Sequence, residues 1–223
     1  MPVRMVVQRG PKGKKAVAFA IDWPGWSRGA KAPDTAIETL EAYRERYRAV
    51  ARLAGLEAEF NAAGALDMVE DAVGVGSTDF WGISFAASSF ERGQMSEDEL
   101  ERKLALLRAA WRFFDEVAAR VSPEMQKGAR GGGRDRDEIV AHILRNEQGD
   151  FARRLGIAAP RDAVFTGSAR DAHRAAFLAA MREHNAEGKR AGQSPNWTIP
   201  FLIRHTAFHT LDHAWEMEDK DLS

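Results

Sequence analysis

RHTAFHTLDHAWEMED, residues 204–219, constrains the architecture of this chain more than any other segment. It contains three histidines at intervals of four residues, His205, His209 and His213. Four residues are close to one turn of an α-helix, so histidines at this spacing lie on one face and can share a metal ion. A helical register extended to residue 199 produces one inward stripe, which comprises Ile199, Leu202, Thr206, His209, His213 and Glu216. The stripe predicts that His209 and His213 face a helical core, with His205 at its edge.

A second apolar face runs along the same predicted helix and is formed by Phe201, Phe208 and Trp215. Large aromatic side chains in such a row are rarely left in contact with solvent. We therefore expect this face to pack against the N-terminal region or against a second subunit.

Three further helices are predicted between residue 96 and this last one. Capping residues, apolar periodicity and terminating glycines or prolines indicate helices over 96–121, 135–155 and 168–188, in addition to about 197–218. Four amphipathic helices joined by loops are typical of a four-helix bundle. Residues 96–223 are therefore predicted to form an all-α domain.

The first 95 residues have a different pattern. An apolar strand is predicted over 16–22, a Pro-Gly turn at 23–26, a helix over 35–54, and β-favouring segments over 66–75 and 80–87. This order of strand, helix and strand predicts an α+β domain over 1–95. Five basic residues without an acid occur among the first 15 residues, and we interpret them as a hairpin loop with solvated charges in preference to a nucleic-acid contact.

Composition excludes several classes of function. The 223 residues include no cysteine, which removes disulfides, thiolate zinc sites, iron–sulfur clusters and cysteine nucleophiles. The net charge of −1 argues against a nucleic-acid partner. The N-terminus lacks the apolar segment of a signal peptide, and the sequence has no run of 18 apolar residues. We therefore expect a cytoplasmic protein without membrane spans.

A third inward histidine is predicted in the helix over 135–155, where His142 shares a face with Ile139, Ile143, Asn146 and Asp150. His142, His209 and His213 together would provide three nitrogen ligands and leave a fourth position open, which is the pattern of catalytic zinc sites. Glu138 and Glu216 are the candidate acceptors for the free ring nitrogens. The alternative interpretation is that all three histidines are hydrogen-bonded core residues.

Two segments of the C-terminal region resemble the DinB/YfiT-like superfamily of four-helix bundles. They are GGGRDRDEIVAHILRNEQGDFARRLG (131–156) and FHTLDHAWEME (208–218). The resemblance implies a divalent metal, zinc or nickel, on His142, His209 and His213, and a homodimer. It also implies activities that use a low-molecular-weight thiol as cosubstrate. Arg145 and Arg204 are candidates to bind an anionic group on that thiol, and the alternative is that both are solvated or paired surface residues.

The N-terminal segment AFAIDWPGWSRGAKAPDTAIETLEAY (18–43) is similar to the HicB-type antitoxin domain. The matching positions are Asp22, Pro24, Gly25 and Gly29. HicB antitoxins carry a DNA-binding module behind this domain, whereas a helical region follows it here. The resemblance therefore implies a fold and no function.

The sequence leads to two functional hypotheses. The first is a metal-dependent enzyme acting on a small-molecule substrate, either a thiol S-transferase or a hydrolase. The second is a non-catalytic binding or regulatory module, in which the bundle is structural and the N-terminal domain binds a protein partner.

Overall fold

The computed structural model describes residues 1–129, 132–160 and 164–223. Within these ranges the chain has a four-stranded sheet near the N-terminus followed mostly by helices. The strands are Val3–Arg9 (β1), Ala16–Ala20 (β2), Ser27–Ala30 (β3) and Leu66–Val73 (β4). The helices are Pro33–Ala42 (α1), Arg44–Leu53 (α2), Glu57–Ala62 (α3), Gly76–Trp81 (α4), Glu97–Arg120 (α5), Arg136–Asn146 (α6), Gly167–Ala186 (α7) and Ile199–Asp219 (α8).

The strand order in the sheet is β3-β2-β1-β4. β2 is antiparallel to both β1 and β3, and β4 is parallel to β1. The central position of β1 agrees with its composition, because Val3, Met5, Val6 and Val7 are all buried and so occupy both faces of the sheet. The chain passes from β3 through α1, α2 and α3 to β4, which lies beside β1.

The prediction of a hairpin loop over the first 15 residues was wrong for residues 3–9. Only residues 10–15 form the loop, and β1 precedes it as the central strand. The basic residues of this segment favoured the prediction of a loop. In the structure, two of them lie within β1 and form ion pairs, Arg4 with Asp22 and Arg9 with Asp71. Their charges are therefore compatible with a strand whose other residues are buried.

The predicted strand over 80–87 is also absent, since α4 ends at Trp81 and irregular chain follows it. Asp79 of α4 accepts hydrogen bonds from the backbone N–H groups of Lys12 and Lys14. These bonds hold α4 against the hairpin loop. The strand predicted over 66–75 is confirmed as β4. The helix predicted over 35–54 is two helices that meet at Tyr43.

The helices predicted after residue 96 are present, with one irregularity. Past Asn146, α6 continues as a π-helical turn, Glu147–Phe151, and a 3-10 turn, Ala152–Leu155, before Gly156 ends it in the left-handed conformation. No helix in the described parts of the chain combines the length and apolar character required to cross a bilayer. The HicB-like and DinB-like folds and the domain boundary at 95/96 stay predictions.

α8 is the most buried helix and connects the two regions. Its Trp215 side chain is 1% exposed and packs edge-on against Tyr43, with 5.1 Å between ring centroids. Gly25 of the Pro-Gly turn approaches α8 so closely that a Cβ atom there would lie 2.7 Å from Leu211 and 3.1 Å from Ala207. The apolar face predicted on this helix therefore contacts the N-terminal region at Trp215.

Candidate metal centre

Three histidines from two helices converge at one point. His142 lies on α6, and His209 and His213 lie one turn apart on α8. One ring nitrogen of each lies within 4.8 Å of one ring nitrogen of both others. All three residues are partly buried. The structure therefore brings together the three residues predicted as metal ligands.

The spacing of two of these nitrogens matches metal coordination. Nε2 of His142 lies 3.2 Å from Nε2 of His209. Two nitrogens bound at ~2.0 Å by one tetrahedral zinc ion are themselves ~3.3 Å apart. A borderline-soft divalent ion such as zinc or nickel also prefers imidazole nitrogen as a ligand. The donor set and its spacing thus fit a divalent metal.

Glu216 determines which nitrogen of His213 is available to a metal. Its Oε2 lies 2.6 Å from Nδ1 of His213, one turn back along α8. A carboxylate oxygen accepts, so Nδ1 is the donor in this contact, and Nε2 is the nitrogen that remains for a metal. A carboxylate behind a metal-binding imidazole fixes the tautomer and ring orientation and raises the basicity of the ligand nitrogen. Lys220 donates to the other oxygen of Glu216 at 2.5 Å and holds the carboxylate in place.

Glu138, the other predicted acceptor, does not form the corresponding contact with His142. Its Oε2 accepts the backbone N–H of Asp135 in a capping box at the start of α6. Nδ1 of His142 instead lies 3.2 Å from Nδ2 of Asn146, which also donates to the carbonyl of His142 at 2.8 Å. The reason is local, because Glu138 is needed to satisfy a free N–H at the helix terminus.

The π-helical turn after Asn146 shapes one side of the centre. It places the ring of Phe151, which is 5% exposed, 5.7 Å from the ring of His209. Two buried side chains hold this turn: Glu147 forms an ion pair with Arg174, and Gln148 bonds to the backbone of Phe165. π-helical turns within α-helices occur frequently at functional sites. Here the extra residue directs an apolar ring toward the histidines.

Burial keeps two of the imidazoles uncharged. Burial, reinforced by the charges of His213 and Arg134, lowers the pKa of His142 to about 4. Burial also lowers the pKa of His209, to about 2, because it penalises the charged form of the ring. Both rings are therefore neutral at pH 7, and only a neutral imidazole has a lone pair for a metal.

The remaining histidines lie outside the centre. His205 is 5% exposed among aromatic rings, and its ring stacks on Phe201 with 5.3 Å between centroids. His173 of α7 is buried beside Phe165, and His184, also on α7, lies near the carbonyl of Arg190. Of the two arginines considered for anion binding, Arg204 is buried and paired with Glu91, whereas Arg145 is exposed.

Phe151 is a site residue that sequence reasoning missed. Asn146 follows His142 by four residues and lies on the inward face predicted for His142, although the sequence assigned it no contact with the ring. No sequence signal identifies Phe151, because its position depends on the π-helical turn.

Comparison of the chain with protein-family models, with curated proteins and with solved structures found no match. The assignment of the site rests on its geometry and its donor chemistry.

Proposed function

We propose that this chain is a divalent-metal-dependent enzyme that acts on a small molecule. His142, His209 and His213 would hold the metal. The observation that carries the proposal is the convergence of three imidazole nitrogens within 4.8 Å, together with the 3.2 Å contact between two of them. In addition, the DinB-like resemblance implies the same three ligands.

The number of ligands favours catalysis over a purely structural site. Among the residues that the structure describes, the cluster contains three metal-binding groups. Structural zinc sites are usually closed by four protein ligands, whereas catalytic sites have three and keep one position for substrate or water. All three histidines are partly buried and none is fully buried, which is compatible with access of a small molecule to that position.

The residues around the histidines have distinct roles. Glu216 orients His213 and accepts its Nδ1 proton, and Asn146 restrains His142. Phe151 covers His209 on one side and excludes water there. The exposed Arg145, one turn beyond His142, offers a positive charge to an anionic group on a substrate.

A divalent ion in this site would lower the pKa of a thiol or a water molecule and so supply a nucleophile at neutral pH. The two cases correspond to an S-transferase and a hydrolase. The chain has no cysteine, so a thiol would have to come from a low-molecular-weight cosubstrate.

The first test is elemental analysis of the untagged protein, with His142→Ala, His209→Ala and the control His184→Ala. We expect about one equivalent of zinc or nickel in the wild type and in the control, and loss of metal in the other two variants. Cobalt reconstitution should produce the visible absorption of a tetrahedral site. If the wild type binds no metal after reconstitution, the proposal is wrong.

The second test separates the two chemistries. Metal-loaded protein is incubated with a bimane electrophile and a panel of low-molecular-weight thiols, and separately with p-nitrophenyl esters. Thiol-dependent product that disappears in His209→Ala would establish the transferase, and ester hydrolysis with the same dependence would establish the hydrolase.

The alternative is the non-catalytic module in which the N-terminal region binds a protein partner. The unpaired edge of β4 favours it. A metal that is bound but has no effect in either assay would support this alternative.

A further inference from the structure

The sheet has an exposed edge on the side away from β2. β4 pairs with β1 on one side, and no strand follows it in the sheet order of the described chain. The strand has eight residues, of which four are exposed and four are partly buried, and Met68 and Val73 are exposed by 51% and 69%. A long exposed edge with apolar side chains presents unpaired N–H and C=O groups to any extended segment that approaches.

A cavity of about 840 Å³ adjoins the N-terminal end of this strand. Asp67 and Val69 of β4 line one wall, Trp23 and Ala62 contribute apolar surface, and the first turns of α5 form the opposite wall. This volume lies within the range of small-ligand pockets. Because cross-strand neighbours on one face lie side by side, a side chain of an added strand opposite Asp67 would enter the cavity. Val69 lies at a β-bulge, where the pairing register with β1 shifts by one residue.

The charges in the cavity do not balance. Its three basic residues are already paired: Arg4 with Asp22, Arg102 with Glu59, and Lys103 with Glu99. Asp67 and Asp98 also line the cavity, and neither forms an ion pair with any residue in the described ranges. Five carboxylates, those of Asp22, Glu59, Asp67, Asp98 and Glu99, thus line the cavity, against three basic side chains and the amino group of Met1, which leaves an excess of negative charge for a basic group.

We propose that β4 and this cavity form a docking site for an extended segment of a protein partner. The segment adds a strand to the edge of β4, and one lysine or arginine side chain enters the cavity beside Asp67 and Asp98. Backbone hydrogen bonds to β4 would supply affinity, and the basic side chain would supply specificity, as in other strand-addition complexes.

Charge argues for a basic segment over a second copy of this chain. β4 contains three acids, Asp67, Glu70 and Asp71, and no basic residue. Pairing of two copies along this edge would place both sets of carboxylates in one ribbon, and like charges opposite one another destabilise a sheet. A segment with a lysine or arginine instead meets complementary charge.

The test uses immobilised octapeptide pools of Val, Thr and Ser, in which one central position is fixed as Arg, Lys, Gln or Glu. Binding of fluorescent full-length protein is measured for each pool. We expect the Arg and Lys pools to retain about tenfold more protein than the Glu pool, as a charge-assisted hydrogen bond implies. Equal retention by all four pools would overturn the proposal.

Variants locate the binding site. Asp67→Asn combined with Asp98→Asn should remove the preference for Arg and Lys, whereas Asp34→Asn with Asp137→Asn, exposed residues elsewhere, should preserve it. The His209→Ala variant should bind peptide as the wild type does, because the metal centre is separate from this edge. A preference for basic peptides that survives in the Asp67/Asp98 variant would contradict the assignment.

Hydrogen exchange identifies what covers the strand. The best Arg peptide should slow amide exchange within residues 66–73, and protection confined to another segment would overturn the proposal. Protection of β4 without peptide, rising with protein concentration alongside a dimer in sedimentation, would show that a second copy occupies the edge.

Discussion

Nε2 of His142 lies 3.2 Å from Nε2 of His209, although 67 positions of the chain separate the two residues. If both rings are neutral, one of the two nitrogens must carry a proton for this contact to be a hydrogen bond. A shared metal cation would replace that proton and satisfy both lone pairs. The contact joins α6 to α8, so a metal here would stabilise the packing of the two helices.

Metal should therefore raise the melting temperature. With zinc at about 100 times its Kd, binding to the folded state contributes ~2.7 kcal/mol. For a chain of this size the expected rise is about 5–10 °C. Differential scanning fluorimetry with zinc titrated into metal-free protein measures it. The His209→Ala variant should show almost no rise and His184→Ala the full rise, and a similar rise in both would contradict a site at His209.

Replacement of Glu216 by Gln should weaken metal binding without removing it. The amide cannot accept the Nδ1 proton of His213 as strongly, and loss of such a partner typically lowers metal affinity about 10- to 100-fold. Competition with a chromophoric chelator measures the affinity. Lys220→Gln is the matched control, because it removes the other contact of Glu216 and leaves the bond to His213 intact. An effect of Lys220→Gln equal to that of Glu216→Gln would show that Glu216 does not act through His213.

Gly25→Ala should destabilise the fold more than Gly55→Ala. Both glycines have positive φ, +94° and +75°, so both substitutions introduce backbone strain of ~1 kcal/mol or more. A Cβ atom at Gly25 also clashes with α8, whereas a Cβ atom at Gly55 meets nothing within 4 Å. Urea unfolding measures the loss of unfolding free energy in each variant. The difference between the two losses gives the cost of the contact between a Cβ atom at Gly25 and α8. Equal losses would show that the turn can move away from α8.

Arg204→Met should lower the free energy of unfolding by about 3–5 kcal/mol, because it leaves the carboxylate of Glu91 buried without its cation. Both side chains of this ion pair are less than 4% exposed. The double variant Arg204→Met/Glu91→Leu removes the buried charge as well and should recover much of the loss. Urea denaturation curves provide all three values. A double variant less stable than Arg204→Met would contradict this explanation.

The same ion pair should make stability depend on acid pH. Burial raises the pKa of Glu91, but the charge of Arg204 and hydrogen bonds from Arg204 and Ser88 outweigh it, so the pKa lies below its usual 4.5. A carboxyl whose folded pKa is depressed stabilises the protein above the unfolded pKa and loses that contribution as pH falls through the folded value. The stability difference between the wild type and Glu91→Gln should therefore narrow from pH 7 to pH 3.

Glu147→Gln is the control for that experiment, because the pKa of Glu147 is shifted in the opposite direction to that of Glu91. Burial is the largest influence on Glu147 and raises its pKa above 4.5 despite the pairing with Arg174. A carboxyl whose folded pKa is raised loses its contribution as pH rises through that value. The difference between the wild type and Glu147→Gln should thus fall above pH 4.5. If the stability difference from the wild type changes with pH in the same direction for Glu91→Gln and Glu147→Gln, the opposite pKa shifts of the two carboxyl groups are contradicted.

Local periodicity in the sequence was sufficient to predict part of the site. The interval of four between His209 and His213 places both on one helical face, and Glu216 follows His213 by one turn. These relationships lie within one helix, whose geometry is the same wherever it occurs. For the same reason, the long helices after residue 96 and the strand at β4 could be predicted from the sequence.

Relationships between distant segments could not be predicted in this way. β1 was missed because its burial depends on β2 and β4, and α4 was missed because Asp79 binds the hairpin loop. Glu138 was assigned to His142 from spacing, although the helix terminus has a stronger requirement for its carboxylate. The first two cases depend on partners that are remote along the chain, and the third is a local competition for one carboxylate at the start of α6.

The sequence by itself determined that His209 and His213 share one face of α8 and that any thiol must come from outside the chain. Only the tertiary structure decided that His142 joins them while His205 packs among aromatic rings. The physical reason is that helical spacing sets the face of a helix on which a side chain lies, whereas the packing of α6 against α8 sets which residues that side chain contacts.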